Sequence, residues 1–162
     1  MMTRRQWIGG SIAAAALVAG GAAYEFSAAG VDERAIVAAI APVLLDGALP
    51  RDPAARAGAV EDVVRGMEVA VAGLPLELRA QLNQLFGILR FPLTRRFVAG
   101  VRDAWPDAKP DEIARFLTSW RYSRVARLRG AYDALHQLIM AAWYGNERAW
   151  TAIGYAGPPH VA

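Results

Sequence analysis

Apolar residues recur along most of this chain at spacings of three and four, the signature of helices with one buried face. Between Asp32 and Leu45 they fall at Ile36, Val37, Ile40, Val43 and Leu44. Asp32 can cap this first helix, and Pro42 inside it is expected to kink or divide it. The stretch from Asp46-Gly47 to Pro50 reads as a turn. Asp52-Pro53 is a cap followed by proline at the first helical position. The helix it opens runs to about Ala72, with Val60, Val63, Val64, Met67 and Val71 inward and Glu61, Asp62, Arg65 and Glu68 opposite. Gly73 and Pro75 close it. A third helix from Leu76 carries Leu78, Leu82, Leu85, Phe86 and Leu89 on one face and ends at Pro92. A short helix is expected from Thr94 to Asp103, and Trp105-Pro106-Asp107 reads as a loop.

Pro110 starts a helix with Ile113, Phe116, Leu117 and Trp120 inward. The longest helix is expected from Ser123, where Val125, Leu128, Tyr132, Leu135, Ile139 and Ala142 form an amphipathic stripe. Its end, from Leu138 to Gly145, is apolar nearly all round and predicts central burial. Asn146 can cap a last turn, Glu147 to Ile153. No period-two strand pattern and no internal repeat is present. The expected fold is all-α: a single compact domain of about five to seven helices over 30–145. A signal segment, 1–29, precedes it, and an aromatic Gly/Pro-containing tail, 146–162, follows.

The N-terminal thirty residues do not read as part of that domain. Arg4-Arg5 precedes an apolar run, Ile8 to Ala23, that contains four glycines. The run is shorter than the roughly 20 apolar residues a spanning helix needs. Basic, then apolar, then small is the order of an export signal. Thr3-Arg4-Arg5-Gln6-Trp7-Ile8 resembles the twin-arginine signal, with Trp7 in the place usually held by Phe. Gly21-Ala22-Ala23 and Ser27-Ala28-Ala29 are candidate cleavage regions. The alternatives are a short membrane anchor, an uncleaved signal acting as one, or a basic tail. The resemblance implies a periplasmic protein, associated with the inner membrane if the signal is retained. It also implies a route that carries folded proteins, often with a cofactor or partner already bound.

Composition narrows the chemistry. The 162-residue chain has no cysteine, so disulfides, Cys-ligated metals, a thiol nucleophile and a lipoprotein anchor are excluded. The net charge is +3, and an exported protein's basic balance is not read here as nucleic-acid binding. Charge is uneven along the chain. From Gly30 to Leu89 five Arg stand against eight acids; from Arg90 to Arg129 nine Arg and one Lys stand against four. The basic set is Arg90, Arg95, Arg96, Arg102, Lys109, Arg115, Arg121, Arg124, Arg127 and Arg129. Most are expected to pair with the acidic first half or to be solvated. Arg95-Arg96 and Arg121 to Arg129 are the candidates for an acidic partner or anionic headgroups.

No catalytic constellation emerges. His136 and His160 are the only histidines. Asp133 and His136 share a helix face, but a di-iron bundle needs that pair twice plus two more carboxylates. His136 is therefore expected to be a partly buried, hydrogen-bonded structural residue. No G-x-S-x-G, G-x-G-x-x-G or P-loop is present. Glu61-Asp62 and Asp111-Glu112 sit where helix surfaces and first turns favour acids.

The C-terminal segment packs large aromatics among turn residues. Tyr144-Gly145-Asn146-Glu147-Arg148, then Trp150, Ile153-Gly154-Tyr155 and Gly157, resembles the closing motif of the gluconate 2-dehydrogenase small-subunit (subunit 3) family. Ala156 stands where that family has Pro. The resemblance implies a non-catalytic small subunit that exports, stabilises or anchors a periplasmic flavin-dependent alcohol or sugar dehydrogenase. The implied partner is a glucose–methanol–choline-type flavoprotein holding FAD, often with a cytochrome c subunit. No cofactor or metal is expected in this chain itself. Trp143, Tyr144, Trp150, Ile153, Tyr155 and Pro158 are the candidate partner contacts; folding back onto the domain is the equal alternative for this segment. A stand-alone periplasmic helical binding or scaffolding protein is the runner-up, and an enzyme in its own right comes third.

Overall fold

A computed structural model describes residues 29–156. Among them the helical periodicity becomes seven helices and no strand. These are α1 (Ala29–Leu44), α2 (Pro53–Ala72), α3 (Leu76–Arg90), α4 (Pro92–Thr94), α5 (Pro110–Arg121), α6 (Ala126–Tyr144) and α7 (Glu147–Ile153). A π-turn, Arg95–Ala99, continues α4, and a 3-10 turn covers Trp105–Asp107.

Local stereochemistry accounts for most boundaries. The Asp52 carboxylate accepts from the Ala55 N–H at 2.8 Å, satisfying one of the free donors at the start of α2. The end of α2 is closed from outside: the Arg79 guanidinium donates to Ala72 O at 2.8 Å and to Leu74 O at 3.0 Å. The expected start at Asp32 is moved: the helix already runs from Ala29, which places Asp32 within its first turn and not ahead of it. Nor does Pro42 divide it. The proline lies within the last turn and forgoes its own N–H bond to the carbonyl four residues back, and α1 ends two residues later at Leu44.

Four further expectations are corrected. The segment expected as a helix from Thr94 to Asp103 is α4 plus the π-turn, and it stops at Gly100, whose φ of 75° is left-handed. The long C-terminal helix starts at Ala126, not Ser123; the Ser123 hydroxyl accepts from Val125 N–H at 3.1 Å and holds a turn there. At 19 residues α6 is one shorter than α2. Trp105–Asp107 is a 3-10 turn, not an irregular loop.

The core forms where α2 lies against α6, with α1 crossing both and α5 closing the far side. Ile36, Ile40, Val63, Leu135 and Ile139 are fully buried. Gly66 makes the α2–α6 approach possible: a Cβ there would lie 3.3 Å from both Cβ and O of Ala142. Gly66→Leu is expected to force these helices apart and cost about 3 kcal/mol, the upper range for overpacking. The urea midpoint followed by helical circular dichroism checks it. A second, aromatic layer joins α5 to the irregular middle segment. Phe116 meets Trp120 edge-on at 4.7 Å and Trp105 at 6.0 Å. The Trp105 indole donates to Leu89 O at 2.9 Å and the Trp120 indole to Val98 O at 3.1 Å. Both buried N–H groups are thereby satisfied.

The stripes overrun the core at their ends. Leu78, in the first turn of α3, and Val125, ahead of α6, are exposed. The end of α6 is not buried all round: Ala142 and Trp143 face inward, whereas Ala141 and Tyr144 face solvent.

Candidate docking surface

The closing motif turns out to be a helix with a defined stop. Asn146 Oδ1 accepts from Arg148 N–H at 2.9 Å and caps α7. Ala149, 1% exposed, is inserted into the domain core. Arg148 Nε reaches Asp62 Oδ2 of α2 at 2.7 Å. The half-buried Trp150 packs on the core and donates its indole N–H to Tyr144 O at 2.7 Å. Gly154 takes φ 71°, and the Tyr155 N–H returns to Trp150 O at 2.9 Å. That bond across a left-handed glycine is the Schellman arrangement, and its usual apolar contact is present. Tyr155 meets Trp150 edge-on at 5.5 Å. Trp150, Gly154 and Tyr155 are therefore spaced as a C-cap requires.

The proposed contact residues consequently separate. Trp143 is 2% exposed and belongs to the core. Trp150 is largely spent on the fold-back contact. Tyr144 and Tyr155 each expose about half of their surface. Ile153 ends α7. Pro158, and Arg4, Arg5 and Trp7 of the export signal, lie outside the described residues.

The main cleft, about 760 Å³, lies between α1 and the segment from Trp105 to Ala114. Its floor is Ala35, Ala38 and Pro42, and its polar groups are Asp46, Arg56 and Asp111. Arg56 is engaged with Pro42 O at 3.3 Å. No His, Ser, Thr or Tyr lines the cleft, so its walls offer no nucleophile–base pair. A smaller cleft of about 250 Å³ lies beside Arg34, Val37, Met67 and Phe86. There Arg34 of α1 is clamped by Glu68 and Glu61 of α2, and these carboxylates raise its pKa above the ordinary guanidinium value. His136 is half-buried and stacks on Tyr132 at 5.7 Å; that ring contact stands in place of the expected hydrogen bond. Among the described residues no group of three or more His, Asp or Glu could hold a metal ion. No described helix is long and apolar enough to cross a membrane.

Of the two expectations for the second-half arginines, pairing and solvation, the ion pairs leave solvation. Of the first-half acids, Glu61, Asp62 and Glu68 pair with Arg34, Arg65 and Arg148. None of the ten cations from Arg90 to Arg129 takes part in those ion pairs. Among them, Arg129 donates to Ser123 O at 2.7 Å, and Arg121 lies over the Tyr122 and Tyr132 rings at 5.3 and 5.8 Å.

Beside those arginines is a feature the sequence pattern did not single out. Phe91, Leu93, Phe97 and Val98 are all exposed within one eight-residue stretch, Phe97 to 77%. Thr94 fixes the start of this stretch, donating to Phe91 O at 3.1 Å and to Ile88 O. Leu89, Ala99 and Val101 anchor its two ends in the core. The available signal was negative: its apolar positions do not fall on one helical stripe, and no acid interrupts it.

Compared with known proteins, the chain matches no family model, no curated protein and no solved structure.

Proposed function

We propose that the chain is a non-catalytic small subunit that exports, stabilises or anchors a periplasmic FAD-dependent alcohol or sugar dehydrogenase. The observation that carries this reading is the closing segment, Tyr144 to Tyr155, which resembles the end of the gluconate 2-dehydrogenase small-subunit family. Its folding-back leaves Tyr144 and Tyr155 half-exposed, as rigid rings available to a partner. The twin-arginine-like start, Thr3 to Ile8, supplies the export half of the reading. In this reading FAD resides in the large subunit, a cytochrome c subunit can complete the complex, and this chain carries no flavin.

The test is fractionation of cells carrying Arg4→Lys together with Arg5→Lys. Lysine keeps the charge but loses the planar fork of the guanidinium. The expected outcome is that this chain and a flavin-dependent dehydrogenase activity both leave the periplasm and accumulate in the cytoplasm. Normal export of the double variant removes the twin-arginine reading. Export blocked for this chain alone, with every periplasmic dehydrogenase in place, removes the partner. A yellow preparation of the isolated chain assigns the flavin here instead.

A further inference from the structure

We infer that the face built from Phe91–Arg102 and Arg121–Arg129 is a seat for an anionic lipid surface. The inference is independent of which protein the chain accompanies.

Two strips of sequence make this face. The first, Arg90 to Arg102, holds four arginines and no acid, and exposes Phe91, Leu93, Phe97 and Val98. The second, Arg121 to Arg129, also holds four arginines and no acid, and exposes Tyr122 and Val125. The fold joins them. Trp120, the residue before Arg121, donates its indole N–H to Val98 O at 3.1 Å, so the second strip leaves α5 beside the π-turn. Leu93 and Phe97 lie on either side of the junction between α4 and the π-turn, and both are exposed. The π-turn is an uncommon winding that in other proteins often marks a functional position.

Two properties select lipid as the occupant. One is charge. The eight arginines, Arg90, Arg95, Arg96, Arg102, Arg121, Arg124, Arg127 and Arg129, form no ion pair among the described residues. Arg121 is held over two tyrosine rings, Arg129 donates to Ser123 O, and Arg90 and Arg95 are half-buried. Arg96, Arg102, Arg124 and Arg127 carry exposed charge for anionic headgroups, and apolar rings among cations are the pattern of a segment lying in a membrane interface. The other is shape. The apolar side chains of this face protrude, and neither of the two clefts described above includes any of them. A lipid surface needs no pocket, because headgroups and chains rearrange around protruding side chains.

The chain has no cysteine, so one introduced thiol reports on one place. Phe97→Cys and, as control, Val69→Cys on the exposed side of α2 are each labelled in the full-length chain with an environment-sensitive fluorophore. The probe is vesicles of phosphatidylglycerol and phosphatidylethanolamine, against vesicles of phosphatidylcholine alone. The expected result is a blue-shifted, brighter emission at position 97 on the anionic vesicles only, with position 69 unchanged. Arg95→Gln with Arg96→Gln should weaken that response by roughly tenfold in lipid concentration, and about 0.5 M salt should suppress it. Because the label reads its own surroundings, attachment through the N-terminal apolar run leaves position 97 in water and overturns the inference. An equal response at both positions, or on neutral vesicles, also overturns it. A response at position 97 only to a purified flavoprotein subunit makes the face a protein interface and overturns the lipid assignment, while leaving the proposed function in place.

Discussion

Trp120→Ala is expected to cost the domain about 5 kcal/mol, the top of the range for deleting a buried aromatic side chain. Trp120 is 2% exposed and stacks edge-on with Phe116 at 4.7 Å. Alanine leaves a cavity between α5 and the π-turn, removes an aromatic pair and deletes the hydrogen bond to Val98 O. Domains of this size are stable by only about 5–15 kcal/mol, so the substitution removes between about a third and all of that stability. Trp120→Phe separates the contributions. It keeps most of the ring packing and loses the N–H, for an expected cost of about 1–2 kcal/mol. Urea denaturation followed by circular dichroism measures both. A Trp120→Ala midpoint equal to that of the parent chain would refute the placement of this residue at the centre of the aromatic layer. The same substitution also bears on the surface: Trp120 is what ties Val98, and with it exposed Phe97, to the Arg121 strip.

The parts of the fold that depend on near neighbours were legible in the sequence. Asp52-Pro53, Pro110 and Asn146 fix helix starts through their own side chains or rings, and the structure places α2, α5 and α7 at those residues. The all-α class followed from the same spacing. What depends on layers was not legible. Leu78 and Val125 satisfy the helical period but lie where no neighbouring helix covers them. The arginines of the second half were expected to meet the acids of the first or to be solvated; Glu61, Asp62 and Glu68 are already taken by Arg34, Arg65 and Arg148, which leaves solvation. Pairing of that kind is set by helix crossing, which a linear charge count does not contain. Phe91 to Val98 went unnoticed for a related reason. A π-turn breaks the three-and-four rhythm, so its apolar residues align with no stripe, and only the fold reveals them as exposed.

The closing segment presents a different case, because its motif was legible and its geometry was not. Spacing a Trp, a Gly and a Tyr at 150, 154 and 155 is what a Schellman stop with its apolar contact requires. The resemblance and the local stereochemistry therefore rest on the same residues. Truncation after Gly145 consequently acts on stability first. It removes Ala149 from the core, exposes the surface under Trp150 and deprives Asp62, 11% exposed, of its contact with Arg148. Half-burial of a Trp, one buried methyl and one partly screened ion pair together come to about 3 kcal/mol. The truncated chain should keep α1 to α6 and unfold at a markedly lower urea concentration. Tyr155→Ala isolates the other role. Its ring is half-exposed and touches only Trp150 among the aromatic contacts, so the cost should stay below about 1 kcal/mol. If the exposed rings engage a flavoprotein, Tyr155→Ala with Tyr144→Ala loses co-purification while the urea midpoint barely moves. Truncation at Gly145 without loss of stability would mean that α7 is not packed through Ala149 and Trp150. Retention of partner by the double tyrosine variant would leave the segment with a structural role alone.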